Sequence, residues 1–175
     1  MSLFRTITDP FVDADALRRR RYGVIEMVDG RLVAIHLRPW PKIVSLIDVS
    51  LTGKRHHARR DGNRCLVYYN QPRACPNYLA LVYVLSTRDC TLATFRGALG
   101  VLDDVARLKR TDAILCDAWN TRISDRLLKR GGWEAHKPSR WHRNFIRRFY
   151  GTFPDWSQAA GFADALTHRE GARRV

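Results

Sequence analysis

The most constraining feature of the sequence is a pair of buried-strand patterns joined by an amphipathic helix. Residues Tyr78–Ser86 form a continuous apolar run of strand length, rich in β-branched and aromatic side chains, which is typical of a strand buried on both faces. After a polar loop at residues 87–91, apolar residues recur every three or four positions, which predicts a helix ending near residues 109–110. Residues 113–118 form a second buried-strand pattern. Two such strands joined by a helix of this length predict a βαβ unit with parallel strands.

The residues that follow these two strands are the first candidates for a binding site. Ligands of such sheets bind beyond the carboxyl ends of the parallel strands, close to the N-terminus of the connecting helix. This rule directs attention to residues 88–93 and 117–121. Beyond them, Asn120 or Thr121 is expected to cap another helix, which a Gly-Gly pair at 131–132 would end before a short strand that opens at Trp133.

The remaining elements are mainly antiparallel strands. Residues 22–37 predict a hairpin whose Asp29-Gly30 pair favours a type I′ turn. The other expected elements are a short helix within 8–21, strands at 65–69 and 144–150, a strand or short helix at 42–51, and an amphipathic helix at 157–168. A single domain is expected over 1–175, with mainly antiparallel strands and an N-terminal helix in 1–76, the βαβα unit and last strand in 77–150, and a C-terminal helix and tail in 151–175.

The charge balance predicts an anionic partner. The 175 residues carry 31 Lys and Arg against 17 Asp and Glu, which gives a net charge of +14 and a pI near 10.5. Nucleic acid, a phosphorylated cofactor and an acidic surface all fit this charge, and so does a merely arginine-rich composition. Three basic segments stand out, namely the arginine run at 18–21, a loop at 52–63, and a cluster around Trp141 that begins at His136.

Membrane and metal functions are not expected from the sequence. No apolar run approaches transmembrane length and the N-terminus has no secretory pattern, so a cytoplasmic location without membrane contact is expected. None of the four cysteines forms a CxxC pair, so reduced structural thiols are expected. A zinc site made of His56, His57, Cys65 and Cys75 is conceivable, although its spacing fits no common zinc finger.

The element order and two motifs resemble the GNAT acyltransferase superfamily. The family's loop motif, (Gln/Arg)-x-x-Gly-x-(Gly/Ala), is matched by residues 88–93, with Thr91 where the family has glycine. Asn120 and the Gly132-Trp133 pair also match, whereas Leu128 stands where the family usually has tyrosine. The resemblance implies an α/β fold with a GNAT-like mixed, largely antiparallel twisted sheet, splayed around one parallel pair and carrying helices on both faces.

The resemblance also implies acetyl-CoA as cofactor and acyl donor, and an amine as acceptor. By this similarity, backbone amides at the start of the helix hold the pyrophosphate, and backbone of the long strand serves the pantetheine and the thioester carbonyl. The implied cofactor-binding residues are Val84, Leu85, Ser86, Arg88, Thr91, Leu92, Ala93 and Asn120. In place of the missing glycine, the Thr91 hydroxyl could bond a phosphate or cap the helix.

Acyl transfer to an amine also needs a group that removes a proton. Asp117, at the exit of the second parallel strand, and Tyr69, on a neighbouring strand, are the candidate bases. For Asp117, helix capping or a salt bridge is the alternative role. The favoured function is an acyl-CoA-dependent N-acyltransferase with direct transfer, and the alternatives are a catalytically inactive GNAT-fold binding protein and a basic nucleic-acid-binding protein. Leu128 cannot protonate a leaving thiolate, which is the role of the family's tyrosine.

Overall fold

The computed structural model describes residues 5–41, 62–118, 124–137 and 143–154. The strands in this part of the chain are β1 (Arg5–Ile7), β2 (Tyr22–Val28), β3 (Arg31–Arg38), β4 (Arg64–Asn70), β5 (Tyr78–Ser86), β6 (Ala113–Asp117), β7 (Glu134–Ala135) and β8 (Asn144–Arg148). The helices are α1 (Ala14–Arg19), α2 (Leu92–Lys109) and α3 (Asp125–Arg130). The elements expected at 42–51 and 157–168 lie outside the described residues, as does most of the basic loop at 52–63.

The strands form one sheet in the order β1-β3-β2-β4-β5-β6-β8-β7. Neighbouring strands pair antiparallel except β5 and β6, which pair parallel across α2. The α/β class and the mixed, largely antiparallel sheet are therefore confirmed. The element order from β5 onward is the one that the GNAT resemblance implied.

The hairpin between β2 and β3 has the turn that its sequence predicts. Asp29 and Gly30 both have positive φ angles, 50° and 76°, as a type I′ turn requires. The strands pair from Tyr22 opposite Arg38 to Val28 opposite Arg31, with one register shift after Glu26. This hairpin lies beside the first half of α2, since a Cβ atom added at Gly97 would lie 2.8 Å from the methyl carbon of Met27.

The described core lies mainly between one face of the sheet and helices α1 and α2. Alternate residues of the central strands point into it because side chains of a strand alternate between faces. Fully buried members of this core are Leu17, Ile25, Ile35, Val67, Leu79, Leu102, Val105 and Ile114. Strand β5 is less buried than its apolar run predicts, because only Leu79 and Leu81 are buried and its second half is half-exposed.

Helix α3 begins later than the sequence predicts. Its N-cap is Ser124, whose hydroxyl accepts a hydrogen bond from the Leu127 amide at 3.2 Å, and not Asn120 or Thr121, which lie outside the described residues. Serine caps a helix as well as asparagine does, so three capping residues within five positions left the start ambiguous. The end is as predicted, because the helix stops at the glycine pair and Gly132 has a φ of 78°.

Candidate active site

The two parallel strands separate halfway along β5. They pair from Tyr78 opposite Ala113 to Leu81 opposite Cys116, and β5 then continues to Ser86 paired with β4 alone. Opposite β4 the register steps from Leu81 to Tyr83, which leaves Val82 as an extra residue in β5 and marks a β-bulge. No strand of the described residues pairs with the other edge of β5 beyond this point. The fork that results contains the predicted backbone positions Val84, Leu85 and Ser86 on its β5 arm.

The loop after β5 is fixed against the start of β4. The Thr87 hydroxyl accepts a hydrogen bond from the Arg64 amide at 3.0 Å and donates to the Gly62 carbonyl at 2.5 Å. The Thr87 amide donates to the Arg64 carbonyl at 3.0 Å, and the Cys90 amide donates back to the Thr87 carbonyl at 3.3 Å. These bonds set the direction in which the chain enters α2.

Thr91 caps α2, which is one of the two roles considered for its hydroxyl. The hydroxyl oxygen accepts a hydrogen bond from the Thr94 amide at 3.2 Å, as an N-cap threonine does. The Thr91 amide donates to the side-chain oxygen of Asn63 at 2.8 Å. An amide expected to face a pyrophosphate is therefore bonded within the protein, which leaves Leu92 and Ala93 as the first-turn amides that lack an acceptor in the helix.

Asn63 is a residue of this site that the sequence reasoning missed. Its backbone carbonyl accepts a hydrogen bond from the Asp29 amide at 2.9 Å, so the residue joins the β2–β3 turn to the start of α2. Asn63 precedes β4 by a single residue, and its partner Thr91 lies 28 positions further along the chain. No local pattern signals such a contact, because it depends on how β4 and α2 are placed side by side.

The start of α2 is electrostatically suited to an anion. Its first turn contains no acidic residue, and the helix dipole places partial positive charge there. Arg88 in the preceding loop and Arg96 in the helix are both exposed, as is the neighbouring carboxylate of Asp89. A phosphate at this position would meet two backbone amides and guanidinium groups that can give charge-assisted hydrogen bonds.

The β6 arm of the fork ends at Asp117, which is exposed and pairs with Asn144 of β8. The neighbouring Cys116 is the last β6 residue paired with β5. Burial, and then the Asp117 charge, raise the pKa of the Cys116 thiol to about 12, although nearby Arg143 acts in the opposite direction. A thiol with so high a pKa keeps its proton at neutral pH, so Cys116 is a poor nucleophile and cannot accept a proton from an amine.

Tyr69 lies in the hydrophobic core and not on an accessible surface. Its side chain is fully buried, and its ring lies over Gly23, where an added Cβ atom would be 2.5 Å from the phenol oxygen. Burial raises the pKa of Tyr69 well above its usual value. A group without solvent access and with this pKa does not fit the role of a general base, whereas the other candidate, Asp117, is exposed.

Of the other predicted residues, Leu128 is buried among core side chains and Asn120 lies outside the described residues. The zinc interpretation is wrong for its two cysteines. Cys65 is the second residue of β4, whereas Cys75 lies beyond the other end of that strand, so the two are too far apart for bonds of about 2.3 Å to one zinc ion. His56 and His57 lie outside the described residues.

Comparisons with known proteins add little to this geometry. No protein-family model and no curated protein matches the chain. Among solved structures, nourseothricin acetyltransferase resembles it with a TM-score of 0.40 and 10% sequence identity over 84% of this chain and 99% of that chain. A likeness at this level carries no argument about activity. None of the helices in the described part of the chain is long and apolar enough to cross a membrane.

Proposed function

We propose that this chain is an acyl-CoA-dependent N-acyltransferase that transfers the acyl group directly to an amine. The observation that carries the proposal is the fork between β5 and β6, which opens toward the N-terminus of α2. It combines a strand edge that no other described strand pairs with, an anion-favouring helix start and an exposed carboxylate at one end of the sheet. A thioester with a pyrophosphate-containing carrier needs these three features.

The residues present fit acetyl-CoA. The amides of Leu92 and Ala93 and the guanidinium of Arg88 are suited to its pyrophosphate, while Thr91 supports them by capping the helix. Backbone groups of Val84, Leu85 and Ser86 are suited to the amides of pantetheine, because one edge of β5 is not paired there by the described strands. Acetyl-CoA supplies an activated acyl group.

The protein's own part in the reaction is to hold the two substrates and to accept a proton. The acceptor must react as a neutral amine: its nitrogen forms a bond to the thioester carbon, the carbon–sulfur bond breaks, and the nitrogen loses one proton. We assign the proton-accepting role to the Asp117 carboxylate. The thiolate that leaves takes its proton from solvent, because Leu128 is a buried hydrocarbon side chain.

A binding protein without catalysis is the second candidate. It is favoured by the hydrogen bond from the Thr91 amide to Asn63, which occupies one of the three amides implied for the pyrophosphate. It is also favoured by Leu128, because this side chain cannot protonate a leaving thiolate. In that case the fork would bind an acyl-CoA or a related ligand and release it unchanged.

The first test is thermal unfolding with and without excess acetyl-CoA, using ATP as a polyanion control. A ligand at a hundred times its dissociation constant adds about 2.7 kcal/mol to the free energy of unfolding, or about 5–10 °C in melting temperature for a chain of this length.

The variant Arg88→Ala should reduce the shift while its ligand-free melting temperature stays unchanged, because Arg88 is exposed. Arg126→Ala on α3, also exposed, is the matched control and should retain the full shift.

Release of thiol with a panel of amines then separates the two candidates. A shift with acetyl-CoA and amine-dependent thiol release would support the transferase. A shift without thiol release would support the binding protein. Equal shifts with acetyl-CoA and ATP, or none with either, would contradict both.

A further inference from the structure

The end of the sheet opposite the fork collects cationic side chains from separate parts of the chain. We propose that this surface, which we call the basic end, binds the phosphate backbone of a nucleic acid. Its described cations are Arg18, Arg19, Arg20, Arg21, Arg73, Arg107, Lys109 and Arg110. They come from the end of α1, the turn between β4 and β5, and the end of α2.

Hydrogen bonds join these three segments into one surface. The Arg18 guanidinium donates to the Leu108 carbonyl at 3.0 Å, and Lys109 donates to the Arg20 carbonyl at 2.6 Å. Lys109 also donates to the side-chain oxygen of Gln71 at 3.1 Å. Arg21 donates to the Pro72 carbonyl at 3.4 Å. The arginine run at 18–21 and Arg73 are therefore held on one face with Arg107, although Arg73 lies 52 positions after Arg21 and 34 positions before Arg107.

Carboxylates balance only part of this charge. Asp15 pairs with Arg18 and Asp104 pairs with Arg107, each at 3.1 Å. Asp112, at the start of β6, accepts a hydrogen bond from Asn77 at 2.7 Å. Burial, and then the Arg21 charge, lower the pKa of Lys109 to about 8. The surface thus keeps a clear excess of positive charge at neutral pH.

Phosphate is the anion that this surface fits best. Seven of its eight cations are arginines, whose planar forks match phosphate oxygens in a bidentate manner better than a lysine does. The cations are spread over several elements and are not focused on one pocket, which suits a chain of phosphates more than a single small anion. The basic end lies at the C-terminus of α2, so it is separate from the candidate active site at the N-terminus of the same helix.

The test measures binding of labelled duplex DNA and single-stranded DNA of about 20 nucleotides at about 50–200 mM salt. The double variant Arg19→Glu/Arg73→Glu removes two exposed cations of the basic end. The matched control, Arg126→Glu/Arg130→Glu, makes the same charge change on α3. Each pair includes one arginine from the last turn of a six-residue helix, so the effect on the helix dipole is similar.

We expect the first variant to weaken binding about tenfold or more and to reduce the slope of log K against log salt by about 2. The control should stay within about threefold of the parent protein. Comparing duplex with single strand identifies which form of nucleic acid is the ligand. Equal losses in both variants, or no DNA binding at the lowest salt, would overturn the proposal. Binding to vesicles of anionic lipid without binding to DNA would overturn it as well.

Discussion

The contact between Gly23 and Tyr69 shows how one missing side chain shapes the core. The two residues face each other on β2 and β4, and the tyrosine ring occupies the space above the glycine. We expect Gly23→Ala to lower the free energy of unfolding by about 1–3 kcal/mol, because the new methyl group would overlap the ring. Chemical denaturation of the variant measures this change, and an unaltered midpoint would show that the ring can move aside.

Removal of the Tyr69 hydroxyl is expected to have the opposite effect on the free energy of unfolding. It is buried and has no hydrogen-bond partner among the described residues, so the core keeps a polar group away from water without compensation. Tyr69→Phe should therefore leave stability unchanged or raise it by about 1 kcal/mol. The variant should also retain any acyl-transfer activity, because the geometry does not favour Tyr69 as the base. A clear loss of stability would reveal a partner for the hydroxyl, and a loss of turnover alone would restore Tyr69 as a catalytic candidate.

Helix α2 is the element that connects the two ends of the molecule. Its start carries the Thr91 cap and the Asn63 contact, and its last residue is Lys109. In its middle, Asp103 is buried and forms an ion pair with Arg147 of β8 at 2.8 Å. Gly132 leaves room for this arginine, since an added Cβ atom would lie 2.7 Å from its guanidinium. The glycine that matches the family motif is therefore explained here by its positive φ angle and by this close approach.

Lys109, the last residue of α2, makes the free energy of unfolding depend on pH. The pKa of Lys109 is lowered to about 8 from 10.5, so the unfolded state binds more protons between these two values. The Lys109 contribution to the free energy of unfolding therefore rises with pH across this window and is smallest below pH 8. Relative to Lys109→Gln, the parent protein should gain about 2 kcal/mol between pH 7 and 9.5.

Comparison with a variant is needed because other groups titrate in the same range. Burial raises the pKa values of Cys65 and Tyr69, whose contributions decrease stability as the pH rises. The exposed Lys129→Gln, which also removes one lysine charge, serves as the control. A stability difference between Lys109→Gln and the parent that does not change with pH would mean that Lys109 keeps its ordinary pKa.

At the scale of the whole molecule, the two proposed sites are about 27 Å apart, because α2 has 18 residues and a helix rises about 1.5 Å per residue. Substitutions at sites this far apart that share no partner have additive effects on free energy. The Arg19→Glu/Arg73→Glu variant should therefore keep the full thermal shift with acetyl-CoA, and Arg88→Ala should keep the DNA affinity within about twofold. If either variant changed the other site's ligand binding, one cationic surface would have to serve both anionic ligands.

Local sequence patterns determined the elements from β5 to β6, the turn between β2 and β3, and the end of α3. The apolar run, the helical period of α2, the Asp29-Gly30 turn and the glycine pair at 131–132 each act within a few neighbouring residues, so they can be read without knowing the fold. The same patterns predicted the parallel pair, and therefore the end of the sheet where a site is expected. The burial of Tyr69 could not be predicted from the sequence, because an alternating strand pattern does not say which face is the covered one.

Only the tertiary structure decided what lies next to these elements. The separation of β5 from β6 after Leu81, the bond from Thr91 to Asn63 and the buried pair of Asp103 and Arg147 all join residues far apart in the chain. The gathering of Arg73 with the arginines of α1 and α2 has the same origin. A sequence determines which segments are apolar and whether they favour helix or strand, because those properties are local. Which side chains meet depends on strand register and helix placement, which the packing of the whole core sets.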